Sequence, residues 1–484
     1  MSIAALIEWP IETLDQSGLA LWTAAEIVAA TGGTASHDFQ VSGVEIDSRD
    51  VQPGDLFFAL KGEAMDGHRF VDGAFAKGAA AAVVDRPVAG PHVLVADTFV
   101  ALQALARAAR DRSVARIVGV TGSVGKTGVK EAIFAGLDRA SNGRAHRSVK
   151  SYNNHVGVPL SLARLPARAE FAVFEMGMNH AGEVAALTSQ VRPHVAVITT
   201  IAPAHIENLG SEQAIARAKA EIFAGLEPGG TAVIPADTPH FEVLRDAAMA
   251  LGAKVVSFGL SQAAEVRLLD AVSAPGGGSL VTADLGDRRL CYTVAAPGEH
   301  WIANSLGVMA AVRAAGGDLG AAGLALAEME GLKGRGARYT IAVAGGTALV
   351  IDESYNANPA SMRATLAQLG ATTATRRIAV LGSMRELGEF GPAFHAALAE
   401  PLGAAGVDQV ILVGDEMLAL AEELGKSGGS VLGKAPPFAH CRNPADALAA
   451  LRAFGLRAGD AVLVKGSNSV GLGAVVAALI ETKG

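Results

Sequence analysis

Few cysteines and no long apolar run restrict what this chain of 484 residues can be. Cys291 and Cys441 are too few for a disulfide framework or a thiolate zinc site. The sequence has no stretch of about 18 consecutive apolar residues, which argues against a membrane span. Its first residues lack the basic start and apolar core of a signal peptide. We therefore expect a cytoplasmic protein.

Positive charge and aromatic residues are also scarce. The formal net charge is −8, and the chain contains no run of Lys or Arg, so a nucleic-acid partner is not expected. An anionic ligand must then be held by local basic residues. Aromatics make up 5% of the sequence, whereas 50% is hydrophobic and rich in small residues, which favours close packing of helices on sheets.

The length of the chain suggests about three domains of ~150 residues each. Short apolar runs alternate with helical patterns through most of the sequence, which indicates α/β domains with parallel sheets covered on both faces. We predict domains at 1–97, 98–332 and 333–484. The runs expected to be strands in the second and third blocks are 116–120, 171–177, 194–200, 230–235, 377–383, 409–415 and 460–467.

The segment VTGSVGKTGVKE, residues 120–131, resembles a phosphate-binding loop with unusual spacing. The standard motif has four residues between its first glycine and the Gly-Lys-Ser/Thr ending. Here two residues separate Gly122 from Gly125. A strand before the loop and a helix after it still favour a phosphate site, with Lys126 on the phosphates and Thr127 on Mg²⁺. The alternative is a glycine turn that carries a surface lysine.

Three polar residues downstream have both a functional and a structural interpretation. Glu175 ends a predicted buried strand, where α/β sheets bind ligands, but a glutamate there can also cap a helix or form a salt bridge. His205 follows the next strand, and a lone histidine is often structural. Lys219 lies in a helical pattern at 212–225, where a solvated lysine is the simplest interpretation.

Ten segments together resemble the Mur ligase family, the ATP-dependent amide-forming enzymes of peptidoglycan precursor synthesis. They follow the family's order along essentially the whole chain. The segments are DSRDVQPGDLFFALKGEAMDGH (47–68), TGSVGKT (121–127), NNHVGVP (153–159), FEMGMNHAGE (174–183), IAPAHIENLGS (201–211), AKAEIF (218–223), HWIANSLGVMAA (300–311), DESYNANPASM (352–362), LGSMRELG (381–388) and VLVKGSNS (462–469).

The resemblance implies a fold and a reaction. The expected fold is a small α/β N-terminal domain that binds the UDP substrate, a central parallel-sheet domain with a shortened P-loop, and a Rossmann-like C-terminal domain that closes on ATP. DESYNANPASM is most similar to the family branch that joins D-alanyl-D-alanine to UDP-N-acetylmuramoyl-tripeptide through an acyl phosphate. The expected partners are these small molecules, and we expect a monomer.

The resemblance also assigns residues to ATP and to two Mg²⁺ ions. The phosphate loop, with Lys126, would hold the triphosphate, and Thr127 and Glu175 would hold the first Mg²⁺. His205 and Lys219 would hold the second, with Lys219 carbamylated as is typical of the family. The loop residues expected to bind phosphate, and the three residues expected elsewhere on the nucleotide, are Gly122, Ser123, Val124, Gly125, Lys126, Thr127 and Gly128, with Asn304, Arg335 and Asp352.

Substrate contacts are expected in the first and third blocks. The residues implied for the UDP group are Ser48, Arg49, Lys61 and His68, and those for the dipeptide or acyl phosphate are Asn356, Asn358 and Lys465. Two positions depart from the family pattern. Gly128 stands where Ser or Thr is frequent, and Asn468 stands where Arg is common, which weakens any carboxylate-binding role taken from that arginine.

Other functions remain open at this stage. A Mur-type ligase that adds the third peptide residue would share most motifs, although the DYAHTP-like segment of that branch is missing here. A P-loop kinase would phosphorylate its acceptor without consuming an amine. A nucleotide-switched binding protein would need no second metal.

Overall fold

The structure is a computed structural model, and it describes residues 20–62, 65–274, 277–329, 331–426 and 436–481. Within these ranges, three large sheets follow one another along the chain, with five, nine and six strands. Each sheet carries its own helices, so the predicted α/β class is confirmed.

The N-terminal sheet has the strand order β2-β7-β6-β5-β4, and a two-stranded ribbon of β1 and β3 lies beside it. β4 to β7 run parallel, and β2 is antiparallel to β7. Its elements are β1 (Trp22–Thr23), α1 (Ala24–Thr31), β2 (Thr34–Ala35), β3 (Gln40–Val41), β4 (Gly43–Glu45), β5 (Asp55–Phe58), α2 (Val71–Ala76), β6 (Ala81–Val84), β7 (His92–Leu94) and α3 (Thr98–Arg112).

The helix α3 lies at the predicted boundary between the first two domains. Its residues Leu102 and Leu105 share an apolar cluster with Trp22 and Phe58 of the N-terminal domain. Leu160 and Ala163 of the central domain belong to the same cluster, so α3 packs against both domains. The division at 97 and 98 therefore stays a prediction.

The central sheet has nine strands in the order β16-β15-β14-β13-β12-β11-β8-β10-β9. The strands from β9 to β14 in this order run parallel, and β14, β15 and β16 form the antiparallel part. The elements are β8 (Arg116–Thr121), α4 (Lys126–Ala140), β9 (Ala145–Arg147), α5 (Gly157–Ala163), β10 (Phe171–Glu175), α6 (Glu183–Val191), β11 (Val195–Ile198), α7 (Ile206–Leu209), α8 (Glu212–Ala220), β12 (Thr231–Pro235), α9 (Phe241–Ala250), β13 (Lys254–Gly259), β14 (Val266–Ser273), β15 (Ser279–Asp284), β16 (Arg289–Val294), α10 (Glu299–Ala315) and α11 (Leu319–Glu328).

Alternation along β8 explains why helices cover both faces of this sheet. Ile117 points into one apolar cluster, whereas Val118 and Val120 point into another. Successive side chains of a strand face opposite sides, so a strand that is apolar at every position needs cover on both. The parallel crossovers place the carboxyl ends of β8, β10 and β11 at one edge of the sheet, where ligands bind in such folds.

The C-terminal sheet has the order β17-β18-β22-β19-β20-β21, with β17 antiparallel to β18 and the other neighbours parallel. One apolar cluster continues from Phe223 in the central domain to Leu381 in this one. The elements are β17 (Ala337–Val343), β18 (Gly346–Glu353), α12 (Pro359–Ala371), β19 (Arg376–Gly382), α13 (Gly391–Ala396), α14 (Ala399–Ala404), β20 (Gln409–Val413), α15 (Leu418–Lys426), β21 (Phe438–Cys441), α16 (Pro444–Phe454), β22 (Asp460–Lys465) and α17 (Gly473–Glu481).

Among the described residues, no helix combines the length and the apolar composition that crossing a bilayer needs.

Candidate active site

A cleft between the central and C-terminal domains collects most of the predicted site residues. From the central domain it is lined by the phosphate loop, Glu175, His205 and Asn304. From the C-terminal side it is lined by Arg335, Glu353, Asn356, Asn358 and Lys465.

The phosphate loop joins the end of β8 to the start of α4. Gly122 and Gly125 have φ angles of 149° and 85°, in the region that favours glycine. A Cβ atom on Gly122 would lie 1.9 Å from Thr199 Oγ1, so only glycine fits there. Lys126 Nζ reaches back across the loop and donates to the Gly122 carbonyl oxygen at 2.7 Å. Burial lowers the pKa of Lys126.

Ser123, which is predicted to bind phosphate, makes hydrogen bonds within the protein. Its N–H donates to the Thr200 carbonyl oxygen at 2.8 Å, and its hydroxyl donates to the Ala202 carbonyl oxygen at 2.9 Å. Ser123 therefore braces the loop against the segment after β11, and its N–H is not free for phosphate in this structure. Thr199 Oγ1 also ties the loop to this segment, because it donates a hydrogen bond to the Val124 carbonyl oxygen at 2.5 Å.

The first turn of α4 supplies the remaining donors of the loop. The N–H groups of Lys126, Thr127 and Gly128 lie in this turn, where no helical acceptor exists, and the positive end of the helix dipole adds to their attraction for phosphate. This geometry favours the phosphate site over a plain glycine turn.

Gly128, which departs from the family pattern, has a packing reason in this structure. A Cβ atom at this position would lie 2.8 Å from the ring of Trp301, in the first turn of α10. The indole thus occupies the space that a Ser or Thr side chain would need. Trp301 lines the cleft beside Asn304.

We predict that the effect of Gly128→Ala on stability depends on Trp301. In the wild-type background, the clash should lower the free energy of unfolding by about 1–3 kcal/mol. In a Trp301→Ala background, the same change should raise it by up to ~1 kcal/mol, because alanine is the better helix former. Denaturant unfolding of the four variants measures this. An equal effect in both backgrounds would contradict the contact.

Thr127 and Glu175, the two residues expected on the first Mg²⁺, are in direct contact. Thr127 Oγ1 donates to Glu175 Oε2 at 2.8 Å, and Asn153 Nδ2 donates to Glu175 Oε1 at 2.7 Å. Thr127 and Glu175 are both buried. A hydroxyl and a carboxylate beside a phosphate loop are oxygen donors of the type that Mg²⁺ prefers.

His205 and Lys219 occupy different settings. His205 has a φ angle of 60°, lines the cleft and forms an ion pair with Glu386 of the C-terminal domain. Lys219 ends α8 and is 1% exposed, so the solvated-lysine interpretation is wrong. Burial, with a smaller contribution from Lys126, lowers the pKa of Lys219 well below its usual value. The described residues contain no group of three or more His, Cys, Asp or Glu side chains placed to hold a metal.

The hinge, the segment between α11 and β17, joins the central and C-terminal domains. Asp352 and Arg335 make the contacts that hold it. Asp352 accepts hydrogen bonds from the Gly334 N–H at 2.8 Å and the Ser354 hydroxyl at 2.6 Å. Its carboxylate is thus engaged within the protein, and its expected contact with the ribose or diphosphate region of the nucleotide stays a prediction. The Arg335 guanidinium lies 4.2 Å above the Tyr355 ring and reaches Ser151 of the central domain at 3.2 Å.

The loop after β18 carries the residues predicted for the dipeptide. Asn358 is the N-cap of α12 and accepts the Ser361 N–H at 2.9 Å, so it has a structural role as well. The Asn356 carbonyl oxygen accepts from Lys465 Nζ at 2.9 Å. Lys465 is 1% exposed and also faces Glu353 at 3.5 Å.

The residues predicted for the UDP group lie in the N-terminal domain, away from the cleft lining. The Arg49 guanidinium is exposed and paired with Asp47 at 2.6 Å. The His68 ring is held between Asp66 at 2.7 Å and Asp85 at 3.0 Å, so its two nitrogens are engaged within the protein. Ser48 is half-buried and Lys61 is exposed.

Sequence reasoning missed several residues in the cleft or next to it. Asn153 orients Glu175, Trp301 packs on the phosphate loop, Glu386 pairs with His205, and Glu353 faces Lys465. All four lie inside segments that carried the family resemblance. Only the fold brings them together, because the first two and the last two come from different domains.

Family models and curated proteins match this chain over most of its length. The Mur ligase family catalytic, middle and glutamate ligase domain models match residues 40–117, 120–312 and 337–468. The UDP-N-acetylmuramoyl-tripeptide–D-alanyl-D-alanine ligase of Synechocystis is 36% identical over 92% of this chain and 93% of its own.

Solved structures of MurF proteins agree. A crystal structure of MurF from Acinetobacter baumannii has a TM-score of 0.80 and 30% identity, and the match covers 95% of this chain and 99% of that one. MurF ligase from Thermotoga maritima, in complex with ADP, has a TM-score of 0.71 and 26% identity, with 91% and 97% covered.

The fold and these matches define the class first: the chain is an ATP-dependent ligase that forms amide bonds. More narrowly, it belongs to the Mur ligase family. The fold and family expected from the sequence are thereby confirmed.

Proposed function

We propose that the chain joins D-alanyl-D-alanine to UDP-N-acetylmuramoyl-tripeptide, using ATP, to give the UDP-pentapeptide of peptidoglycan synthesis. One observation carries the proposal. The cleft places the phosphate loop of the central domain opposite the DESYNANPASM loop of the C-terminal domain. The first loop activates a carboxylate with ATP, and the second belongs to the branch that receives the dipeptide.

The reaction needs two steps in one cleft. The terminal carboxylate of the tripeptide attacks the γ-phosphorus of ATP, which gives an acyl phosphate and ADP. The amine of the dipeptide then attacks the acyl carbon, and phosphate leaves. Lys126 and the first-turn N–H groups of α4 are placed to stabilise the charge on the transferred group. The Arg335 contact with Ser151 keeps the C-terminal domain over the cleft, which protects an acyl phosphate from water.

The metal assignments are part of the proposal. Thr127 and Glu175 fit one Mg²⁺ because their oxygens already converge at 2.8 Å. His205 and a carbamylated Lys219 would hold the second, since a buried lysine with a lowered pKa has the neutral amine that reacts with CO₂. Bound Mg²⁺ would supply charge neutralisation on the phosphates.

We further assign the UDP group to residues 1–97, ATP to 98–332 and the dipeptide to 333–484. In the N-terminal domain, the exposed Arg49 and Lys61 support this better than His68, whose ring is engaged. One chain supplies both sides of the cleft, which supports a monomer. We also propose that the reaction takes place in the cytoplasm, where nucleotide substrates such as ATP are available.

Phosphate release from ATP tests this function. Release should require both UDP-N-acetylmuramoyl-tripeptide and D-alanyl-D-alanine, and the product should be the UDP-pentapeptide by mass. A kinase would release no phosphate and would leave a phosphorylated acceptor. Equal release with neither substrate present, as for a nucleotide-switched protein, would contradict the proposal.

A further inference from the structure

The described lining of the cleft carries more cations than carboxylates. Lys126, Arg335 and Lys465 line it, whereas Glu175 and Glu353 are the acidic side chains among its described lining residues. The cations suit ATP and the tripeptide carboxylate. The incoming dipeptide instead presents an ammonium group, which these cations would repel.

Glu175 is not available to that ammonium group. One carboxylate oxygen accepts from Thr127 at 2.8 Å, and the other accepts from Asn153 at 2.7 Å. It also lies at the end of β10 beside the phosphate loop, on the ATP side of the cleft. Glu386 is paired with His205, so Glu353 is the carboxylate of the described lining that is left for the ammonium group.

Glu353 lies on the dipeptide side. It ends β18 directly across from Lys465, the last residue of β22, and its side chain is 17% exposed. Its ion pair with Lys465 is long, at 3.5 Å, because Lys465 Nζ donates to the Asn356 carbonyl oxygen at 2.9 Å. A carboxylate so placed can bind a second cation from the cleft.

We propose that Glu353 binds the ammonium group of the incoming dipeptide and accepts one of its protons. The carboxylate becomes a carboxylic acid, and the neutral amine uses its lone pair to attack the acyl carbon. A C–N bond forms, and the C–O bond to phosphate breaks. The second proton leaves the nitrogen with the departing phosphate as HPO₄²⁻, and Glu353 returns its proton to water.

The surroundings of Glu353 suit this task. Burial raises the pKa of Glu353, while Lys465 and Arg335 oppose the rise and Asp352 adds to it. A carboxylate with a raised pKa is a better proton acceptor than a free one. Lys465 and Arg335 favour the ionised form of this acceptor before the ammonium group arrives.

Glu353→Gln separates this role from a structural one. With D-alanyl-D-alanine near neutral pH, we expect the variant to lose about 10²-fold or more in amide formation. With hydroxylamine as the nucleophile, which is largely neutral at that pH, it should form the tripeptide hydroxamate at nearly the wild-type rate. Acyl phosphate formation would then be intact and only the amine step lost.

The pH profile gives a second readout. The loss should shrink as pH rises through the amine pKa of about 8, since solvent then supplies the neutral amine. Glu400→Gln, an exposed carboxylate on α14, is the matched control and should behave as wild type. Equal loss with dipeptide and hydroxylamine, or a loss independent of pH, would overturn the proposal.

The conservative variant Glu353→Asp keeps the carboxylate and its charge beside Lys465, which is itself assigned to the dipeptide and is left unchanged. We expect Glu353→Asp to keep part of the dipeptide activity that Glu353→Gln loses and to form the hydroxamate normally. Equal loss of dipeptide activity in both variants would also overturn the proposal.

This inference rests on the proposed ligase function, and the two fail differently. A wild-type enzyme that forms neither pentapeptide nor hydroxamate refutes the function. A wild-type enzyme that forms both, with a Glu353→Gln variant that forms both equally well, refutes only the role of Glu353.

Discussion

The Lys126→Ala variant is expected to lose ATP turnover by roughly 10²–10³-fold or more, the usual cost of removing a group that stabilises transition-state charge. Lys126 Nζ is held across the phosphate loop, 2.7 Å from the Gly122 carbonyl oxygen. It is therefore positioned before ATP binds. Phosphate release with both substrates present measures the loss.

The same variant tests whether the UDP substrate and ATP are bound by different domains. Binding of the UDP-tripeptide, measured by calorimetry, should survive, because it is assigned to residues 1–97. Lys254→Ala, an exposed lysine of β13, is the control and should keep full activity. Loss of UDP-tripeptide binding together with ATP turnover would contradict the domain assignment, and unchanged turnover would contradict the phosphate loop.

Lys219→Ala should abolish amide formation to a similar extent and should respond to small carboxylates. Lys219 is 1% exposed, so its removal leaves a buried space where the carbamate is proposed to hold the second Mg²⁺. Formate or acetate can enter that space and replace the anion of the proposed carbamate. We expect partial recovery of activity with added carboxylate, measured as phosphate release.

Two controls accompany the Lys219 experiment. Arg217→Ala changes an exposed cation on the same helix, α8, and should have little effect with or without acetate. The intact mass of the wild-type protein in bicarbonate should include one added CO₂, which Lys219→Ala lacks. Full activity of an unmodified Lys219, or no recovery with any carboxylate, would contradict the carbamate.

Much of the fold could be predicted because apolar runs mark buried strands directly. β8 was expected at 116–120 and is observed at Arg116–Thr121, and β20 was expected at 409–415 and is observed at Gln409–Val413. The helix expected at 212–225 ends earlier, since α8 covers Glu212–Ala220 and a 3₁₀ turn covers Glu221–Gly225.

The site was less predictable because contacts between domains leave no local pattern. Thr127 in the first turn of α4 and Glu175 at the end of β10 were expected close together, and the hydrogen bond between them agrees with that topology, while their role on a metal stays a prediction. The pairing of His205 with Glu386 joins two domains and could not be read from either segment.

Residues inside a family motif can also serve the fold rather than the ligand. Asp352 and Asn358 were both expected on substrates or nucleotide. In the structure Asp352 accepts a hydrogen bond from Gly334 in the hinge, and Asn358 is the N-cap of α12. Hydrogen bonds of this kind compete with ligand binding for the same side-chain atoms, and a motif alone does not show which use applies.

The central claim is that ATP activates the carboxylate of the tripeptide. The most direct test uses UDP-N-acetylmuramoyl-tripeptide whose terminal carboxylate carries the heavy oxygen isotope. With ATP and D-alanyl-D-alanine present, attack on the γ-phosphorus predicts that each phosphate released carries one labelled oxygen, as seen by mass spectrometry. Unlabelled phosphate, with all of the label retained in the UDP-tripeptide or its product, would contradict the account.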